Sequence, residues 1–294
     1  MAAFDRLAEH DRYGIDSQTV VCRTCGLIQT NPRMTAEDYR AFYASDTYRL
    51  LYDGEDYEDH YRRLFTSSYG QRMLAAVRRA GGPIEAVVEI GAGGGWNLVA
   101  FRLAGAHVVG WDYSEHLTAL GRSQGIQMHR GSIREALAEG ARYDVIILNH
   151  VLEHFLDPVT ELRSLRGLLK PGGILYIGVP ATDYPSLALL QNAHVYYFTD
   201  RTLAHYMARA GWLIEDVRHE NEFRMDCIAR PGDAVPLSLA TEYRDCLARL
   251  RMNRRKLRIM EARERARIIV GRALGRLGLL QLARSLYRRL QGHG

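Results

Sequence analysis

The tightest constraint on this chain is the stretch VVEIGAGGGWN at 87–97, an apolar run that carries one carboxylate, Glu89, and then places glycine at 91, 93, 94 and 95. Four glycines in five positions let a backbone turn sharply after a strand and approach a ligand that side chains would obstruct. The spacing predicts a strand ending at Ile90, a loop through Gly91, Gly93 and Gly95, and a helix from about Trp96. Such a loop is a cofactor cradle. A dinucleotide fingerprint G-x-G-x-x-G anchored on Gly91 requires Gly or Ala at position 96, where Trp96 stands, so that pattern fails. Glu89 puts a negative charge where a pyrophosphate reader expects an apolar residue; an anion there suits a ligand carrying an ammonium and a sulfonium.

The flanking sequence supplies the sheet this loop needs. AVVEI, HVVGW, IQMHR, YDVIILN and GILYIGV read as strands, with helical patterns after the first four. Alternating β and α elements predict an α/β, doubly wound sheet with helices on both faces. After the fifth strand, DRTLAHYMARAGW reads as a helix, and LIEDVRHE and RMDCIAR as a closing antiparallel pair. The expected architecture is a mainly parallel seven-stranded sheet with an N-terminal cap and a C-terminal helical extension. Its segments are 1–54, a cap with a cysteine knuckle; 55–230, the cofactor-binding domain; and 231–294, a helical tail. With 294 residues, 47% of them hydrophobic, the chain can bury a full core. The N-terminus lacks an apolar signal core and no run of about 18 apolar residues occurs, so the cytoplasm is the expected compartment. Four cysteines, Cys22, Cys25, Cys227 and Cys246, fit a reducing location.

Charge is divided along the chain. From Arg249 to Gly294 there are 14 Lys and Arg against 2 Asp and Glu, while the remainder is mildly acidic, so the net +5 does not imply a nucleic-acid partner. Val270, Leu274, Leu277, Leu280, Ala283, Tyr287 and Leu290 recur at steps of three and four, with Arg272, Arg276, Arg284, Arg288 and Arg289 between them. This basic amphipathic helix reads as docking to an anionic membrane surface or as packing on the body or on a second subunit of a homodimer.

Asp112 closes the second strand in GWDYS, where a carboxylate can accept two hydrogen bonds from a ribose diol. Taken together, E-x-G-x-G-x-G, Asp112, GSI after the third strand, YDVIILNHVLEHFLDP at the fourth and LLKPGGILYIGVP at the fifth resemble the class I S-adenosylmethionine-dependent methyltransferases over residues 55–230. The resemblance implies a Rossmann-like fold and S-adenosyl-L-methionine as cofactor. It implies that Glu89, Gly91, Gly93 and Gly95 cradle the methionine end, that Asp112 clamps the ribose and that Tyr113 packs on the adenine. Ser132 stands where family members often carry an acidic residue facing the adenine amino group. Asn149 and His150 border the methyl-transfer site.

In HVLEH, His150, Glu153 and His154 share a helical turn. They read as structural pairing against the cofactor helix or as metal ligands, since a related arrangement holds a divalent ion in some quinone-biosynthesis methyltransferases. His150 replaces a carboxylate there, and no metal is expected. QNAHVYYFTDRTLAHYMARAGW resembles the stretch after the fifth strand in sugar methyltransferases, which implies His194 as general base, with Tyr197 and Phe198 behind it. His150 and His154 are the further candidates. Ala193 replaces that stretch's glutamate, which favours transfer to oxygen over transfer to carbon. VCRTCGLIQTNPR resembles the zinc-ribbon half-site preceding the catalytic domain of many nucleotide-sugar and polysaccharide methyltransferases; one C-x-x-C supplies only two thiolates, so a degenerate knuckle without metal is expected. RAFYASDTYRLLYDGEDYEDHYRR, dense in tyrosine and acid, reads as a lid or as a surface helical cap.

The expected function is O-methylation of a sugar or glycan hydroxyl in surface polysaccharide biosynthesis, with the inner membrane face as workplace. The alternatives are methylation of a small molecule such as a quinone precursor, and a non-catalytic adaptor of glycan assembly.

Overall fold

The computed structural model describes residues 3–11, 15–44, 57–181, 190–221 and 224–250. The apolar stripe at 270–290 and the acidic, tyrosine-rich stretch at 45–56 lie outside these residues. Two sheets organise the chain. Strands β1 (Phe4–His10), β2 (Asp16–Cys22) and β3 (Ile28–Thr30) form an antiparallel cap sheet. The main sheet holds β4 (Ala86–Ile90), β5 (His107–Asp112), β6 (Gln127–Arg130), β7 (Tyr143–Asn149) and β8 (Leu169–Pro180), all parallel. After the short strand β9 (Tyr196–Tyr197), β10 (Trp212–Asn221) and β11 (Arg224–Pro231) add the antiparallel edge. The spatial order β10-β11-β8-β7-β4-β5-β6 is the doubly wound seven-stranded sheet expected from the strand rhythm.

The apolar runs are continuous because both faces of the sheet are covered. Alternation along the strands then divides them. Val88, Ile90, Ile146 and Leu148 join one core cluster. Val87, Val145 and Ile147 join the other. From β4 the chain winds outward through β5 and β6, then returns to place β7 on the other side of β4. The strand order therefore reverses between β4 and β7, and their carboxyl ends frame the crevice where doubly wound folds bind ligands.

The cap is not chain-local. β9, which follows β8, pairs with β3 through Ile28 and Tyr197 and through Gln29 and Tyr196. Thr30 Oγ1 donates to the His194 carbonyl at 2.8 Å, and the Thr30 amide donates to that of Val195 at 3.0 Å. These bonds fix the 190–198 segment beside the crevice. Met1–Cys246 form one compact unit and Leu247–Gly294 a second. Among the described residues, no helix is long and apolar enough to cross a membrane.

Candidate active site

A cavity of about 930 Å³ opens over the carboxyl ends of β4, β5 and β7. Its floor is the glycine loop. Gly91 has φ +67°, and a Cβ there would lie 2.4 Å from Val151 Cγ2, so both backbone conformation and packing demand glycine. The Gly93 amide donates to Asp112 Oδ2 at 2.7 Å and the Ser114 amide to Oδ1 at 2.9 Å. Asp112 thus binds the loop after β4 to the end of β5. Each carboxylate oxygen retains acceptor capacity for a further hydroxyl, because two oxygens offer about four lone-pair sites.

Glu89 is 1% exposed. Its Oε1 accepts from Asn97 Nδ2 at 2.7 Å, while Oε2 has no hydrogen-bond partner. Burial pushes this carboxyl up to about 8; the Asn97 bond opposes the rise and nearby Asp112 adds to it. A buried acceptor without a donor, next to a glycine floor, fits the α-ammonium of S-adenosylmethionine. The sign of the resulting pH dependence follows from the raised value. Without ligand, the protein retains the Glu89 proton, so its contribution to stability is full below the ordinary carboxyl range and is lost as pH rises through about 8. An ammonium ligand reverses this by favouring the carboxylate. Titration of S-adenosylhomocysteine near pH 7, in buffers of different ionisation enthalpy, should therefore show proton release approaching one per site in the wild type and none in Glu89→Gln. Equal proton release in both would remove the assignment.

At the opposite end of the cavity, Tyr113 and Ser132 line the wall. The Ser132 hydroxyl is committed to a capping box over Ile133–Ala138: it donates to Glu135 Oε2 at 2.6 Å and accepts from the Arg134 amide at 3.3 Å. Glu135, three residues on, also lines the cavity, and its bond from Ser132 is the largest influence holding it down to about 2. The wall where Ser132 was expected to face the adenine amino group therefore has a carboxylate after all. The S-x-x-E spacing in SIRE is the sequence signal for it.

The end of β7 carries the remaining candidates. Asn149 Oδ1 accepts from Arg224 Nη2 at 2.8 Å. His150 adopts φ +56°, which is uncommon for a side chain with a Cβ, and its amide donates to the Gly178 carbonyl at 2.8 Å. Its Nδ1 lies 3.2 Å from Glu153 Oε1 and its Nε2 3.3 Å from Arg224 Nη1. A carboxylate only accepts and a guanidinium only donates, so these partners assign the proton to Nδ1 and leave a lone pair on Nε2. The ring lines the cavity.

Behind it, Glu153 is 1% exposed and its Oε2 is unpartnered. Burial raises this carboxyl, but His150, His154 and His194 outweigh burial and hold it down to about 2. His154 also lines the cavity; its Nδ1 faces the Ala193 carbonyl at 2.8 Å and the Tyr43 phenol at 2.7 Å. His194, expected as general base, is buried one layer back. Its ring packs edge-on against His154 with centroids 4.9 Å apart, its Nε2 meets the Gln191 amide and lies 3.9 Å from Glu153, and the residues lining the cavity do not include it. Glu153, His154 and His194 each offer a ligand atom within 4.8 Å of the others. Cys22 and Cys25 gather no third metal ligand among the described residues. Arg224, Asn97, Glu135 and Tyr43 are among the wall residues that the sequence alone did not single out.

A doubly wound sheet with a glycine floor, a carboxylate joining β4 to β5 and a buried carboxyl beneath them defines the class I S-adenosylmethionine-dependent methyltransferase fold. The chain belongs to the methyltransferase domain family, whose model matches residues 58–217. It is 29% identical over 155 residues to the ubiquinone biosynthesis O-methyltransferase of Aromatoleum aromaticum, covering 46% of this chain and 66% of that protein. It is 38% identical over 94 residues to the protein of the same name from Ruegeria pomeroyi, covering 30% of this chain and 38% of that one. The chain thus spans less than two thirds of these relatives. Among solved structures, the Burkholderia thailandensis 1,6-didemethyltoxoflavin-N1-methyltransferase, with 1,6-didemethyltoxoflavin and S-adenosylhomocysteine bound, superposes with a TM-score of 0.54 at 23% identity over 74% of this chain and 98% of that one. That likeness is one of fold.

Proposed function

We propose that the protein methylates a hydroxyl group of a small aromatic acceptor of the quinone-precursor kind, using S-adenosylmethionine. The observation that carries this reading is the Glu153–His150 pair, which leaves the lone pair on Nε2 of a ring that lines the cavity, where its one contact among the described residues is the long 3.3 Å approach of Arg224 Nη1. The bound cofactor supplies a methyl group already activated on a sulfonium. What the chain must provide is alignment and a place for the acceptor's proton. His150 Nε2 takes that proton, with the acceptor hydroxyl displacing the 3.3 Å contact from Arg224. Glu153 holds the ring through Nδ1 and balances the charge on the imidazolium. His154 and His194 keep Glu153 ionised from behind.

The rest of the wall supports an aromatic acceptor. Tyr39 and Tyr43, with ring centroids 4.5 Å apart, line the cavity with Tyr69 and Phe155, and flat apolar faces of this kind stack on a planar ring. The matched relatives bear a quinone-pathway name. For both reasons, this reading takes precedence over the glycan acceptor expected from the 190–212 stretch. A panel of catechols, hydroxybenzoates and nucleotide sugars, each supplied with S-adenosylmethionine and scored by S-adenosylhomocysteine formed, separates the two. Turnover on phenols alone supports the proposal, and turnover on sugars alone overturns it.

A further inference from the structure

Beneath the glycine floor, Asn97 is 2% exposed and sits immediately before the short helix Leu98–Leu103. A residue in that place ordinarily spends its side chain on the helix's first amides. Asn97 does not: its side chain makes no cap bond, and its Nδ2 turns instead to Glu89 Oε1 at 2.7 Å. This bond from Nδ2 to Glu89 Oε1 sets the amide's orientation. Asn97 Oδ1 is then left without a partner, as is Glu89 Oε2, and Asn97 belongs to the cavity wall. The one proton that Glu89 retains without ligand can serve only one hydrogen bond, so this pair holds more buried acceptor sites than donors, and an acceptor left unserved forfeits the hydrogen bonds it made in water. Their arrangement calls for a cationic group with several N–H donors that arrives with a ligand.

We infer that Asn97 and Glu89 form a paired acceptor for the α-ammonium of the cofactor, with Asn97 Oδ1 taking one N–H and Glu89 another. Asn97 is thereby a determinant of specificity for ligands that retain the amino group. The inference rests on the S-adenosylmethionine reading of the cavity. It assigns Asn97 a role that its position before a helix does not, and it explains why an amide rather than an apolar residue occupies a site so thoroughly buried.

The test compares two ligands by calorimetry, with no turnover required: S-adenosylhomocysteine and its deamino analogue, which keeps the adenosine, the thioether and the carboxylate. Wild-type protein should prefer S-adenosylhomocysteine. Asn97→Leu should erase at least about tenfold of that preference while binding the deamino analogue within about twofold of wild type, the loss of one charge-assisted hydrogen bond. Asn97→Asp keeps an acceptor oxygen in the same place and should retain the preference. It also keeps the proposal testable if the leucine variant does not fold. Equal losses for both ligands in Asn97→Leu, or loss of the preference in Asn97→Asp, would overturn the inference and leave Asn97 a structural support of the loop. If the wild type bound neither ligand, the cofactor reading itself would fail, which is a separate outcome.

Discussion

Replacing His150 with alanine should lower turnover by about 10²- to 10⁴-fold while leaving the affinity for S-adenosylhomocysteine within about twofold. Of the three candidate histidines, His150 has a nitrogen whose lone pair is assigned by its partners and whose ring lines the cavity. His154 points its Nδ1 away into the Ala193 carbonyl, and His194 is packed behind it. Glu153→Gln should give part of the same loss, because glutamine keeps a hydrogen-bond acceptor for Nδ1 but removes the charge that balances the imidazolium. The measurement is single-turnover kinetics alongside cofactor titration for each variant. A His150→Ala enzyme with normal turnover, beside a crippled His154→Ala enzyme, would move the base to His154.

The second large effect is expected at Asp112. Asp112→Ala should weaken S-adenosylhomocysteine by about 10²-fold, since two charge-assisted hydrogen bonds to a ribose diol are each worth about 1.5 kcal/mol or more. The loss has a second source within the protein. The amides of Gly93 and Ser114 both donate to this carboxylate, so the alanine variant also leaves two buried donors unserved and loosens the glycine floor. Asp112→Asn separates the two sources. It retains an oxygen for one amide but presents an NH₂ to the other, so it should bind between wild type and alanine. Calorimetry with S-adenosylhomocysteine and with adenosine alone locates the loss: both ligands should suffer in Asp112→Ala, because both carry the ribose. Retention of adenosine affinity would remove the ribose assignment.

Asp112 and His150 differ in how far the sequence alone reveals them. Asp112 and the glycine loop were readable because a parallel strand buried on both faces is an unbroken apolar run, and the residue that ends such a run falls at the carboxyl edge of the sheet. The same logic located Asn149 and His150. The order of the closing antiparallel pair was also readable, since LIEDVRHE and RMDCIAR have nowhere to turn but back on each other. The cap sheet was not. β1 is half-exposed along its length, FDRLAEH lacks a clean period of two, and the sheet is closed by Tyr196 and Tyr197, more than 160 residues beyond the cap strand they pair with. Nothing local announces such a pairing. The choice among the three histidines was likewise hidden. Their order along the chain says nothing of which nitrogen faces the cavity, and Arg224, whose guanidinium fixes the His150 tautomer, arrives from β11 on another part of the sequence. Glu135 shows an intermediate case: its capping box was present in SIRE, but its place in the cavity wall depends on how Ile133–Ala138 is set after β6 against the helix Pro158–Leu165.

Under the proposed function the methyl group goes to a phenolic oxygen, and the product reports that atom directly. The wild-type protein, supplied with S-adenosylmethionine labelled with ¹³C in the methyl group and with a catechol acceptor, should yield a product whose labelled carbon resonates as an aromatic methoxy group, with one equivalent of S-adenosylhomocysteine formed. A label recovered on nitrogen, on ring carbon or on a sugar hydroxyl supplied in competition, with the phenol unmodified, would contradict it.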